Sequence, residues 1–233
     1  MEGLLLLNGG EEFQPGNESQ DELLVEAAGD GPAFVLPTAA ARQRPDLAVA
    51  NAIRWFARLG LEVRDLPVLT RTDANDEKLA LEAARGSFFY LAGGDPGHVV
   101  KTLAGSRVWE TVATAWHSGA ALGGSSAGAM ALCEWTLVMA RWPQHAARRA
   151  VRALGLVPRT AVVPHYERFG DRWQQTPIED GPEGLVLLGL DEKTAAVWDG
   201  ECWTAHGPGA VRIAGRTFAG GAPVEGLPEP VRQ

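Results

Sequence analysis

The chain has 233 residues, 45% of them hydrophobic and 21% charged, with a formal net charge of −8. Such a chain buries a sizeable core, so residues 1–233 are expected to form one globular domain, and the negative charge argues against nonspecific attraction to nucleic acid or an anionic membrane. Cys133 and Cys202 are too few for a disulfide framework or a cysteine zinc site. No apolar run approaches the ~20 residues of a membrane span, so a reducing cytoplasm is the expected compartment.

The start, Met1-Glu2-Gly3 followed by four leucines, lacks the basic flank and length of a signal peptide. Leu4 to Leu7 instead predict a buried strand ending at the turn Asn8-Gly9-Gly10. An acidic, polar stretch over 11–22 leads to a helical segment at 23–28. Ala33-Phe34-Val35-Leu36 predicts a second strand, broken at Pro37. Residues 45–59 set Leu47, Ala50, Ile53, Phe56 and Ala57 at helical spacing and stop at Gly60. A third strand is expected from 61, then a helix over 76–85 behind the capping residues Thr72, Asp73 and Asn75. Gly86 to Ala92 predicts a fourth strand that ends at Gly93-Gly94-Asp95, with helices over 98–103 and 108–117 behind it. A fifth strand enters Gly123-Gly124.

Continuous apolar strands alternating with helices predict a parallel sheet covered on both faces. The expected fold is an α/β three-layer αβα sandwich with a mostly parallel sheet and a tight turn after the fifth strand. Function in such sheets sits at the carboxyl ends of the strands. Further on, residues 135–152, with Arg141, Arg148, Arg149 and Arg152, read as a solvated helical excursion. Thr160 to Val163 predicts another strand. Short runs at 184–189, 195–198, 201–205 and 210–213 read as antiparallel additions to the sheet.

The turn after the fifth strand carries the chemistry. Gly124-Ser125-Ser126-Ala127-Gly128 fits the Gly-x-Ser-x-Gly nucleophile elbow, in which a serine is lifted on a sharp turn crowded by small residues. Ser126, flanked by glycines two residues away on each side, is the expected nucleophile rather than Ser125. The same turn aims the Ala127 N–H at the space in front of the hydroxyl, where it can receive an oxyanion. A phosphate-binding turn lacks support, since the P-loop's Gly-Lys-Ser/Thr ending is missing and no Gly-x-Gly-x-x-Gly follows. A helix-capping serine with no chemistry is the alternative that the pattern leaves open.

A serine needs a base, and the histidines are His98, His117, His145, His165 and His206. His165 directly follows the 160–163 strand, at the sheet edge where the elbow belongs. An acid is needed to hold the imidazole in one tautomer, and Asp191 and Glu192 both follow an apolar run; spacing alone leaves that choice open.

Four blocks in order carry a resemblance. Phe89-Tyr90-Leu91-Ala92-Gly93-Gly94-Asp95, the elbow, Val163-Pro164-His165-Tyr166 and Gly189-Leu190-Asp191-Glu192-Lys193-Thr194-Ala195 resemble the cyanophycinase and aspartyl dipeptidase (peptidase E) family of serine peptidases. That family is built on the class I glutamine amidotransferase-like fold. The resemblance implies Ser126 as nucleophile, His165 as general base and Glu192 as orienting acid. It also implies Gly94 and Ala127 as oxyanion donors and an acyl-enzyme hydrolysed by water. Neither a metal nor another cofactor is expected. A short peptide is the implied partner, with an acidic residue beside the scissile bond and Asp95, Arg168 and Arg172 as candidate substrate contacts. Pro96 stands where cyanophycinases carry Gln, which sets this chain apart from cyanophycin recognition. Carboxypeptidase-like or isopeptide cleavage and a silent binding module are the alternatives, and both a monomer and a homodimer stay open.

Overall fold

The computed structural model describes residues 2–140 and 147–231. Its first half alternates as the apolar pattern requires. The elements are β1 (Leu5–Asn8), α1 (Glu18–Glu26), β2 (Ala33–Leu36), α2 (Pro45–Arg58), β3 (Val63–Asp65), α3 (Arg71–Ala74), α4 (Glu77–Ala83), β4 (Phe88–Leu91), α5 (Pro96–Leu103), α6 (Arg107–His117) and β5 (Ala121–Ser125). The second half holds α7 (Ala127–Leu132), β6 (Cys133–Met139), β7 (Arg148–Arg152), β8 (Val157–Val163), α8 (Tyr166–Gln175), β9 (Ile178–Glu179), β10 (Val186–Leu190), β11 (Ala195–Trp198), β12 (Trp203–His206), β13 (Ala210–Ile213) and β14 (Arg216–Ala219).

Every residue of β1, β2, β4 and β5 is buried, because both faces of their sheet are covered. Alternation then sorts side chains by face. Leu6, Phe88 and Tyr90 join Trp55 and Phe56 of α2 in one core cluster, whereas Leu5, Leu7 and Phe89 belong to a second cluster that runs on into β8 and β10. Helix boundaries follow local chemistry. Pro45 and Asp46 open α2 and Arg58 closes it. The Asp76 carboxylate accepts the Lys78 and Leu79 N–H groups to start α4.

The α/β class is as expected, but the strands divide between two seven-stranded sheets. The first is ordered β12-β11-β1-β5-β4-β2-β3, its five strands from β1 to β3 parallel and β11 and β12 antiparallel to their neighbours. The second is ordered β14-β13-β10-β8-β6-β7-β9. Within it β10 runs parallel to β8, pairing Val186 with Thr160, so this strand is not the antiparallel addition expected at 184–189. Helix α7, buried along its whole length, packs against β5 of the first sheet and β6 and β8 of the second.

Residues 135–152 correct a second expectation. Their described parts, 135–139 and 148–152, are not helical but form the antiparallel strand pair β6 and β7, in register from Trp135↔Arg152 to Met139↔Arg148. The reason lies in side chains that suit a pleated surface. Leu137 and Ala150, paired across the two strands, join the core, and Thr136 is buried. The arginines lay their charged ends over indole rings, Arg152 over Trp135 at 5.0 Å and Arg148 over Trp173 at 4.6 Å. Arg141 and His145 lie outside the described residues. Among the described residues no helix is long and apolar enough to cross a membrane.

Candidate active site

The carboxyl ends of β1, β4 and β5 lie side by side, since Asn8 pairs with Ser125 and Leu91 with Gly124. Ser126 follows at once with φ 47° and ψ −110°, a conformation that non-glycine residues avoid. Surrounding contacts impose it. Its N–H donates to the Asn8 carbonyl at 2.9 Å, and its carbonyl accepts the Met130 N–H at 2.9 Å. Small residues are compulsory here: a Cβ on Gly128 would lie 2.2 Å from the Leu91 carbonyl oxygen.

His165 arrives from the second sheet, two residues past the end of β8. It too is left-handed, at φ 50° and ψ 43°, and its N–H donates to the Gly9 carbonyl at 2.9 Å. Its Nε2 lies 3.2 Å from the Ser126 Oγ. On the other side of the ring, Nδ1 lies 2.7 Å from Oε1 of Glu192, which follows β10. A carboxylate only accepts, so Nδ1 carries the proton in that contact and Nε2 presents its lone pair to the serine. Gly10 packs flat on the imidazole: a Cβ there would come within 2.3 Å of Cε1.

The two acids left open by spacing sit differently. Asp191 is buried, its Oδ2 accepting the Ala210 N–H at 2.9 Å while Oδ1 pairs with Arg212. Glu192 instead shares its Oε1 between His165 and the Arg168 guanidinium, the latter at 2.9 Å. Burial pushes the Glu192 carboxyl up, but hydrogen bonds from Arg168 and His165 outweigh it and hold the group below its ordinary value. Arg168, raised by its bond to Glu192, is thereby engaged on the acid rather than free in the cleft. Two other histidines are placed elsewhere. His98 Nε2 lies 2.8 Å from the Leu69 carbonyl oxygen, and His206 Nε2 lies 2.8 Å from Thr204 Oγ1.

Two hollows meet at His165. One, of about 370 Å³, is lined by Glu12, Gln43, Arg44, Gly94, Ser126 and His165 among others. The second, of about 260 Å³, is lined by Arg148, Phe169, Arg172 and Trp173 as well as His165. Burial, and then the charge of Arg172, push the Arg148 guanidinium below its usual range. A larger groove of about 730 Å³ lies between Ala80 of α4 and Arg107 and Thr114 of α6. It has none of the Ser126, His165 and Glu192 groups, so the chemistry rather than the volume singles out the site. Asp95 is absent from both hollows; its Oδ1 accepts the His98 N–H at 3.0 Å and caps α5. Among the described residues no group of three or more His, Cys, Asp or Glu side chains is arranged to hold a metal ion.

Two participants are missing from the sequence reading. The Asn8-Gly9-Gly10 turn is the bed on which Ser126, His165 and the Glu192 loop all rest, since the Lys193 N–H also donates to the Gly10 carbonyl at 2.9 Å. Glu12, read only as part of a polar stretch, reaches the elbow: its Oε2 accepts the Ser125 hydroxyl at 2.9 Å. The Ser125 hydroxyl is therefore engaged with Glu12, whereas the Ser126 hydroxyl meets the histidine. The available signal was position, since both features follow the carboxyl end of a parallel strand.

Comparisons with known proteins follow this geometry. The family model described as peptidase family S51 matches residues 4–205. The fold is similar to that of a peptidase from an acI-B1 Actinobacterium, with 28% identity, a TM-score of 0.82 and coverage of 96% of this chain and 97% of that one. It is also similar to a putative peptidase E protein from Listeria monocytogenes EGD-e, at 17% identity and a TM-score of 0.62, over 89% of this chain and 100% of the other. No curated protein matches the sequence significantly.

Proposed function

The chain belongs to peptidase family S51, a family of serine peptidases, and from that premise we propose that it hydrolyses short peptides through Ser126, His165 and Glu192. In this mechanism the Ser126 Oγ attacks the scissile carbonyl carbon and its proton passes to His165 Nε2. The N–H groups of Gly94 and Ala127 receive the oxyanion. The C–N bond then breaks as His165 returns that proton to the leaving amine, leaving an acyl ester on Ser126. A water molecule, deprotonated by the same nitrogen, releases the acid. Glu192 holds the tautomer and stabilises the imidazolium, and Arg168 keeps Glu192 ionised. The observation that carries the reading is the unbroken line of contacts from Ser126 Oγ through both ring nitrogens to Glu192, 3.2 and 2.7 Å.

The substrate reading is a short peptide with an acidic residue at the scissile bond, cleaved by a cytoplasmic dipeptidase or exopeptidase acting as one catalytic domain of residues 1–233. Its support is the second hollow, where Arg148 and Arg172 both line the wall beside His165 and the charge of Arg172 acts on Arg148. Two positive groups in one hollow favour a carboxylate there. Digestion of a panel of short peptides varied on both sides of the scissile bond, with products identified by mass spectrometry, tests the proposal. Acidic peptides should be cut fastest, and an activated serine reagent should label Ser126 in the wild type and in Ser125→Ala but nothing in Ser126→Ala. Label on Ser125, or undiminished hydrolysis by Ser126→Ala, would overturn it.

A further inference from the structure

Glu12 has no step in the chemistry above, yet it touches both loops on which that chemistry depends. Its Oε1 accepts the Gly93 N–H at 2.8 Å, and its Oε2 accepts the Ser125 hydroxyl at 2.9 Å. Gly93 immediately precedes Gly94, and Ser125 immediately precedes Ser126. One carboxylate, carried by the loop after β1, thus joins the loop after β4 to the elbow after β5. The pairing of those two strands ends at Leu91 and Gly124, so sheet hydrogen bonds do not reach the two loops.

The backbone around this residue is forced into place. Glu11 and Phe13, on either side of Glu12, have φ values of 55° and 60°, in the left-handed region that non-glycine residues rarely occupy. Neighbours hold them there. The Asn17 Nδ2 donates to the Glu11 carbonyl at 2.8 Å, and the Phe13 ring packs on Tyr90 and Phe56 at 5.2 and 5.8 Å. An acid serving only solubility would need neither the unusual backbone nor these contacts.

We propose that Glu12 is a positioning residue whose carboxylate clasps the Gly93-Gly94 turn to the elbow and so fixes the spacing of the Gly94 and Ala127 N–H groups. The proposal rests on the reading of Ser126 as nucleophile. An oxyanion hole lowers a barrier only when its donors are held in place before charge develops. A carboxylate suits the clasp because it accepts from two donors at once and carries no proton of its own.

Steady-state kinetics on a short peptide test this, with thermal melts and reagent labelling of Ser126 run alongside. Wild-type hydrolysis must first depend on Ser126; if it does not, the serine-peptidase reading falls and the clasp falls with it. Given that activity, Glu12→Ala should lower kcat about 10- to 100-fold while KM stays within about threefold. Glu12→Gln should remain within about fivefold of wild type, because its amide oxygen still accepts from Gly93 and its N–H donates to the Ser125 hydroxyl. Ser125→Ala cuts one arm and should fall between the two. The double variant Glu12→Ala/Ser125→Ala should be no slower than Glu12→Ala, since both changes act through one carboxylate.

Three results would overturn the clasp. Unchanged kcat in Glu12→Ala is one. A raised KM at constant kcat is another, as it would mean that Glu12 touches substrate. The third is Glu12→Gln as slow as Glu12→Ala, which would make the charge rather than the link decisive. Should Glu12→Ala fail to fold, Ser125→Ala decides: reduced kcat at unchanged KM and melting temperature supports the clasp, and wild-type kcat rejects it.

Discussion

The two sheets contribute opposite halves of the site. The first delivers Ser126 and the Gly93-Gly94 turn from strands buried on both faces. The second delivers His165 and Glu192 from the ends of β8 and β10, where side chains are about one-fifth to one-quarter exposed. The Ser126 half is buried and its turn is made of small residues; the His165 half is more exposed and includes long charged chains. Strain is invested in both, at Ser126 and at His165, and the two strained residues meet at 3.2 Å. The contrast teaches that the serine comes from a tight, buried turn while the side chains that approach it are longer and partly exposed.

The largest effects should come from cutting the contact between the halves. Ser126→Ala and His165→Ala should each lower kcat by about 10⁴-fold or more, and the double variant should lose no more than either, because such groups act as a unit. Additive losses in single-turnover assays would separate the two halves chemically.

Within the second half the two neighbouring acids should diverge. Glu192→Gln should lower kcat about 10²- to 10⁴-fold with KM nearly unchanged, since an amide can hold the imidazole in the wrong tautomer. Asp191→Asn should instead lower the melting temperature, because Asp191 is buried and paired with Arg212. A melting loss confined to Glu192→Gln would reverse the assignment.

A smaller effect is expected from the bed between the halves. Gly10→Ala should push the imidazole out of line, since Gly10 has φ 130° and its new Cβ would strike the ring. A 10- to 100-fold fall in kcat, by analogy with ~1 Å misplacements elsewhere, should appear without loss of Ser126 itself. Next comes specificity: Arg172→Ala should raise KM for acidic peptides about tenfold and leave neutral ones alone, as expected for one charge-assisted contact.

The last effect bears on stability and pH rather than on turnover. Burial pushes the Asp21 carboxyl up to about 8, opposed by the Trp55 indole N–H and aided by the charges of Glu12 and Glu18. In the unfolded chain the same group titrates near ~4. Between those values the native state holds a proton that the unfolded state has released. Stability from this group is therefore greatest below pH ~4 and falls as pH rises toward 8, by at most about 1.4 kcal/mol per pH unit. Urea melts across that window should show the slope in the wild type and a flatter profile in Asp21→Asn.

Much of this was legible in the sequence, and unevenly. Strands buried on both faces announce themselves as unbroken apolar runs, so β1, β2, β4 and β5 could be read directly. The tight turn at Ser126 was legible because only small residues fit there. The β6–β7 pair was misread because its arginines suggested a solvated helix; nothing in their charge reveals that they lie over Trp135 and Trp173. The division into two sheets was invisible, as pairing partners such as Val186 and Thr160 lie far apart in the chain. The choice between Asp191 and Glu192 hung on how the turn after β10 directs each side chain, a fact that spacing cannot hold.

The Asn8-Gly9-Gly10 turn has a consequence in time as well as in space. It is made near the beginning of synthesis, yet its hydrogen-bonding groups wait for strands that appear much later: the Gly9 N–H for the Thr194 carbonyl, the Gly9 carbonyl for His165, the Gly10 carbonyl for Lys193. A ribosome releasing this chain in order therefore makes the serine's cradle first and closes it last. Contacts of such long range slow folding. Until residues around 192 have emerged and docked, Ser126 meets neither His165 nor the Glu192 loop, so on the mechanism proposed above the nascent chain is inactive.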